Sequence, residues 1–145
     1  MQKVVFGQSC LDGAGLGVFA VADIPQGEVL EIAPVIVIPN NREKEILDIL
    51  PSPIDRYPYE WETSSRNAPG RMIMSYAIVL GYGSLYNHSL EPNAMHERDL
   101  RKKTMIYKAL RNIAKGEEIF IDYCTDDHRC LKFTGEGEFC WYEKD

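Results

Sequence analysis

Tyr86-Asn87-His88-Ser89-Leu90-Glu91-Pro92-Asn93-Ala94 is the stretch from which the rest of the chain is read. Taken alone, His88 is more often a structural imidazole bonded to backbone than a catalyst, so its meaning depends on its surroundings. Toward the N-terminus, Met72 to Leu80 is apolar and reads as core, bounded by glycines. Toward the C-terminus, Thr104 to Leu110 and Glu118 to Tyr123 are β-prone and read as two strands. The second strand is led in by Ile113-x-x-Gly116-Glu117-Glu118-Ile119 and closes on Asp122-Tyr123. Tyr123 is one of eight tyrosines, most of which should pack rather than react.

Further out, Val4-Val5-Phe6, a glycine-rich turn over Asp12-Gly13-Ala14-Gly15-Leu16-Gly17, and Val18 to Val21 predict strand, turn and strand. Val29 to Ile38 is β-branched with Pro34 inside it. Proline cannot donate to a ladder, which predicts an edge strand or two strands with a break. Asn40 to Leu50 predicts the one helix, capped by Asn40 or Asn41 and ended by Pro51 and Pro53. Residues 51–70 read as an irregular insertion packed by Tyr57, Tyr59 and Trp61, and 124–145 as an irregular tail with Trp141-Tyr142 near its end. One internal echo stands out. Ala22-Asp23-Ile24-Pro25-Gln26-Gly27-Glu28-Val29-Leu30 resembles Arg111-Asn112-Ile113-Ala114-Lys115-Gly116-Glu117-Glu118-Ile119, so one turn device is used twice. Many short strands and one helix are not an alternating β-α-β chain. A glycine turn with no helix after it is not a dinucleotide fingerprint either.

Three segments together carry a resemblance that none carries alone: Gly15-Leu16-Gly17-Val18-Phe19-Ala20, Tyr86-Asn87-His88-Ser89-x-x-Pro92-Asn93-Ala94, and Ile113-x-x-Gly116-Glu117-Glu118-Ile119-x-x-Asp122-Tyr123. In this order and spacing they resemble the SET domain of protein lysine methyltransferases, above all the small stand-alone SET proteins of bacteria and large viruses. The resemblance implies a mainly β, β-clip-like fold of several small sheets, with a C-terminal pseudoknot and one short helix near 40–50. It implies a single domain over 1–145, with a core at about 4–123 and a tail without the cysteine-rich zinc pattern. It implies S-adenosylmethionine as cofactor, S-adenosylhomocysteine as product and a lysine entering from the opposite face. Tyr123 takes the catalytic position. Gly15, Leu16, Gly17, Asn87, His88, Tyr86 and Trp141 take cofactor positions, and Tyr82 and Ile121 line the channel. An asparagine amide offers donor and acceptor, which suits an amino acid zwitterion. The chain departs from many members at Leu90, where they have Cys, and at Ile121, where they have Phe or Tyr. It also lacks their C-x-C-x4-C tail.

Composition agrees with a globular domain. The chain has 145 residues, 45% hydrophobic and 26% charged, with a net charge of −6. That charge argues against direct nucleic acid binding, which favours basic stripes, and permits a Lys-rich protein partner such as a histone tail. No apolar run reaches membrane-spanning length, and the first residues lack a secretory pattern, so an intracellular protein without membrane contact is expected. Cys124, His128, Cys130 and Cys140 cluster in the tail, but their spacing departs from zinc knuckles, so no metal is expected. Two rival readings stay open: a SET-fold binding module with little or no activity, and a small zinc-tail protein. A homodimer is one means of closing the lysine channel.

Overall fold

Short β-prone runs between glycine turns fold as strands in the computed structural model, which describes residues 1–38, 45, 48–51, 54, 57–64, 73–123, 129–133 and 139–143. The strands are β1 (Val4–Gln8), β2 (Leu16–Ala20), β3 (Val29–Ile38), β4 (Tyr59–Ser64), β5 (Ile73–Val79), β6 (Asn87–His88), β7 (Ala94–Asp99), β8 (Thr104–Ala109), β9 (Glu118–Ile121), β10 (Arg129–Phe133) and β11 (Phe139–Glu143). They form a four-stranded sheet β1-β2-β9-β6, a five-stranded sheet β4-β5-β3-β8-β7 and a hairpin β10-β11. The fold is mainly β, as the sequence predicts.

The chain divides into two compact units. One comprises Met1–Glu31, Leu85–His96 and Tyr107–Asp145, and the other Ile32–Ser84 and Glu97–Ile106. In the first, Val18, Tyr86, Tyr107, Ile113, Ile119 and Ile121 are buried, with Tyr86 stacked on Tyr107 at 4.3 Å between ring centroids. In the second, Ala33, Ile38, Trp61, Ala77, Val79 and Met105 are buried. Among the described residues no helix is long and apolar enough to cross a membrane.

The four-stranded sheet brings the three motifs together. β2 runs antiparallel to β9 with Val18 opposite Ile119, and β6 runs parallel to β9 with Asn87 opposite Phe120 and His88 opposite Ile121. Ser89 N extends that pairing to Ile121 O at 3.0 Å. β6 has only two residues, and a strand that short holds by its partners rather than by propensity. Asn93 holds the next turn. Its amide nitrogen donates to Glu118 O at 2.8 Å and Glu117 Oε1 at 3.1 Å, and its oxygen accepts from Phe120 N at 2.8 Å.

The two echoed turns pair with each other. Ile24 and Ile113 exchange both backbone hydrogen bonds at 2.8 Å. Gly116 N donates to Ala20 O at 2.8 Å, and Gly27 N to Ala109 O at 2.8 Å. Side chains repeat the reciprocity: Asp23 accepts from Lys115 N at 2.8 Å, and Asn112 from Gln26 N at 2.9 Å. Both glycines sit near φ +80°, at 81° and 82°, where a Cβ would be strained. The echo is thus one half-turn built twice and clasped on itself.

Three expectations are corrected. β3 is one continuous, internal strand despite Pro34. Pro34 O accepts from Leu80 N at 2.9 Å, just past the last residue of β5, so the missing donor falls at the end of that ladder. The 51–70 insertion contains a regular strand, β4, paired with β5 from Tyr59 opposite Ala77. The tail is not wholly irregular, because β10 and β11 form an antiparallel hairpin with Arg129 opposite Glu143. Two short β-prone runs around Gly135 and Gly137 are a hairpin signal. The helix expected over 40–50 falls largely outside the described residues, of which Glu45, Asp48 and Ile49 are helical.

Candidate active site

Gly15 ends the β1–β2 turn and Gly17 is the second residue of β2, and each is glycine for a different reason. Gly15 has φ +75° with open space where a Cβ would sit, so its backbone conformation requires glycine. Gly17 has a crowded neighbour instead. A Cβ there would overlap the Glu118 carboxylate, coming to 2.9 Å of its Cδ and 3.1 Å of Asn87 Nδ2. Gly17 is therefore glycine so that β6 and β9 side chains can close onto the turn.

Asn87 points its amide nitrogen into that junction. Nδ2 donates to Leu16 O at 3.0 Å, Glu118 Oε1 at 3.0 Å and Ser9 Oγ at 3.1 Å. Among the described residues no hydrogen bond reaches Asn87 Oδ1. Glu118 is a buried carboxylate, 4% exposed, that also accepts from Ser9 Oγ at 2.7 Å, Cys10 N at 2.8 Å and the Cys10 thiol. Burial pushes its pKa up, but the donors Cys10, Asn87 and Ser9 outweigh burial and hold it below the usual carboxylate value. The same contact raises the Cys10 thiol, because its proton serves Glu118, with burial and the nearby negative charge adding to the effect.

Tyr123 is pinned at both ends. Its hydroxyl donates to Tyr86 O, and its backbone N donates to His88 Nδ1 at 3.0 Å. The His88 and Tyr123 rings lie 5.2 Å apart, and Asp122 Oδ1 lies 3.7 Å from His88 Nδ1. Accepting from Tyr123 N places the proton of a neutral His88 on Nε2. His88 thus holds the backbone of Tyr123.

The remaining predicted positions separate. Tyr86 reaches Tyr123 through its carbonyl, while its ring is fully buried and its hydroxyl donates to Glu31 at 3.1 Å. Ile121 is buried opposite His88. Tyr82 lies in a turn of the second unit. The Trp141 backbone is in β11, opposite Leu131, and its side chain lies outside the described residues. Cys124 and His128 also lie outside them. Among the described residues no group of His, Cys, Asp and Glu is placed to hold a metal. Sequence reasoning missed Ser9, Cys10 and Glu118 as members of the Asn87 cluster. The sequence carries no local signal for Glu118, because its partners Ser9, Cys10 and Asn87 lie far from it along the chain.

Comparison with known proteins fits this geometry. The SET domain family model matches residues 15–124. An H3 lysine-37 specific histone-lysine N-methyltransferase of Schizosaccharomyces pombe is 27% identical over 129 residues, covering 89% of this chain and 71% of that protein. The crystal structure of a candidate histone methyltransferase of Plasmodium falciparum superposes with a TM-score of 0.62 at 33% identity, covering 87% of this chain and 96% of that one. ctPRC2 bound to S-adenosylmethionine shares the fold, with a TM-score of 0.66 at 21% identity, over 84% of this chain and 15% of that one. With the family pattern running from the glycine turn to one residue past Tyr123, this chain belongs to the SET domain family.

Proposed function

We propose that this SET domain transfers a methyl group from S-adenosylmethionine to the ε-amine of a lysine in a protein, with Tyr123 at the reacting atoms. The observation that carries the reading is the pairing of β6 with β9. It sets the Asn87 oxygen, which accepts no hydrogen bond among the described residues, and the Tyr123 hydroxyl, held by Tyr86 O, about one two-residue strand. Two features support the cofactor. The Asn87 oxygen is an acceptor available to an ammonium, and Gly17 leaves the start of β2 beside it without a side chain. When bound, S-adenosylmethionine supplies an activated methyl on a cationic sulfonium.

The chain's own residues then do the following. Asn87 Oδ1 accepts from the ligand ammonium, and the backbone of Gly15, Leu16 and Gly17 lies along the amino acid end. His88 backbone groups serve the adenine, and Trp141 is the candidate cover for it. Tyr123 donates its proton to Tyr86 O, so its phenolic oxygen keeps lone pairs for an N–H of the incoming amine. Holding that amine in line with the methyl is the main catalytic contribution. The amine must arrive neutral, although its ordinary pKa is about 10.4, and apolar walls of the kind Ile121 offers lower it by desolvation. Tyr82 is a candidate channel residue.

Histones are the substrate class to try first, given the histone-lysine methyltransferase among the relatives and the net charge of −6; a nuclear location goes with that substrate. The test is transfer of labelled methyl to core histones and to a lysine-rich non-histone protein, with Tyr123→Phe alongside. The hydroxyl's loss should lower the rate about 100-fold, measured as label incorporated per minute. Full activity in Tyr123→Phe would remove the mechanism. Labelling of the non-histone protein alone would remove the histone assignment.

A further inference from the structure

An asparagine amide can face its neighbours two ways, because its oxygen and nitrogen ends have nearly the same shape. The end that turns inward decides what the outward end recognises. Three atoms meet the Asn87 nitrogen: Leu16 O at 3.0 Å, Glu118 Oε1 at 3.0 Å and Ser9 Oγ at 3.1 Å. Ser9 donates its own proton to Glu118 Oε1 at 2.7 Å, so toward Asn87 it can only accept. All three are acceptors, and an inward amide oxygen would meet lone pairs on every side.

Glu118 is the one of the three that carries charge. It is buried, and among the described residues no cation pairs with it. Its second oxygen accepts from Cys10 N at 2.8 Å and from the Cys10 thiol, which fixes the carboxylate against the β1–β2 turn. The absence of a Cβ at Gly17 gives it room. A buried carboxylate that has four donors and, among the described residues, no counter-ion needs more reason than packing, since removing charge from water is unfavourable.

We propose that Glu118 is a positioning residue of the cofactor site: its carboxylate locks the Asn87 amide nitrogen inward and oxygen outward, so that the site selects ligands with a free ammonium group. This rests on the cofactor reading above and adds to it the residue that enforces recognition of the amine. Glu118→Gln keeps the shape but can turn an NH2 group toward Asn87, which releases the lock.

Calorimetry on the whole chain tests it, with S-adenosylhomocysteine and its N-acetyl derivative as ligands for wild type and Glu118→Gln. Wild type should prefer the free amine by about tenfold or more, the size of one hydrogen bond to a charged group, and the variant by about twofold or less. The ratio is the readout because general loosening of the site weakens both ligands alike. A ligand-free measurement accompanies it: exchange of the Asn87 side-chain amide hydrogens by NMR. That exchange should be slow in wild type and about tenfold faster in Glu118→Gln, with backbone amides of Ile24 and Ile113 unchanged. If Glu118→Gln does not fold, Ser9→Ala, which removes one acceptor of the cage, should give intermediate values of both. A variant with the wild-type ligand preference and slow Asn87 exchange overturns the role of Glu118 and leaves the methyltransferase reading standing. Failure of wild type to bind S-adenosylhomocysteine overturns the cofactor reading and selection by the ammonium with it, while Asn87 exchange still reports whether the lock exists.

Discussion

Gly15 and Gly17, separated only by Leu16, look alike in the sequence, yet they should respond differently to a methyl group. Gly15→Ala meets open space and is charged only for its positive φ, so it should cost about 1 kcal/mol of stability. Gly17→Ala must displace Glu118, which is buried and held by Ser9, Cys10 and Asn87. Overpacking of that kind should cost about 1–3 kcal/mol and weaken S-adenosylhomocysteine binding as well. Urea unfolding and calorimetry on both variants check the contrast; equal losses would refute it. The sequence shows that glycine is needed here but not why, because the reason at Gly17 is a side chain 101 residues away. Glu118 was illegible for the same reason. A glutamate after Gly116-Glu117 reads as exposed charge until Ser9, Cys10 and Asn87 are seen around it. Asn87, His88 and Tyr123 were legible only as part of an ordered set, since none of them differs in kind from an ordinary turn asparagine, structural histidine or packing tyrosine.

At the scale of elements, strands read well where β-prone runs followed a glycine turn, as in β2 and β9. They read poorly where pairing overrode local signals. Pro34 argued for a break, but its lost donor falls at the end of the β3–β5 ladder and breaks nothing. The second echoed turn has an electrostatic clasp of its own. Glu117 accepts from Arg111 at 2.6 Å, Ala114 N at 3.0 Å and Asn93 at 3.1 Å. The Arg111 guanidinium, followed by the Ala114 and Asn93 donors, lowers its pKa from 4.5 to about 2 despite partial burial. A carboxylate depressed in the folded state stabilises above its unfolded pKa, and that stability is lost as pH falls from about 4.5 through about 2. Glu117→Gln should therefore cost about 1 kcal/mol at pH 7, since Arg111 is largely exposed. It should also flatten part of the fall in Tm between pH 5 and pH 2, scanned in steps of about half a unit. An unchanged acid limb would mean that the clasp contributes nothing to folding.

The first unit depends on pairings that skip most of the chain. Ile24 bonds Ile113, Val18 lies opposite Ile119, and Asn87 lies opposite Phe120. Such pairings must close long loops before any contact rewards them, which makes folding slow compared with helical bundles. They also make the echoed turns interdependent. Each turn lends the other its hydrogen-bond partners: Ile24 and Ile113 reciprocally, Gly116 to Ala20, and Gly27 to Ala109. The sequence reveals the repeat but not the clasp, because identical turns could as well lie apart on the surface. Ile113→Ala tests the clasp directly. Ile113 is 1% exposed, so the truncation should cost about 2–5 kcal/mol. Native-state hydrogen exchange should then show protection falling by a similar factor at the Ile24, Gly27 and Ala20 amides as at Ala109 and Gly116, because those amides open as one unit. If protection falls only over residues 109–117 and stays at wild-type level over 20–28, the two turns fold as separate devices. The four-stranded sheet that carries Asn87, and past whose β9 Tyr123 lies, would then hold its β2–β9 pairing without the clasp.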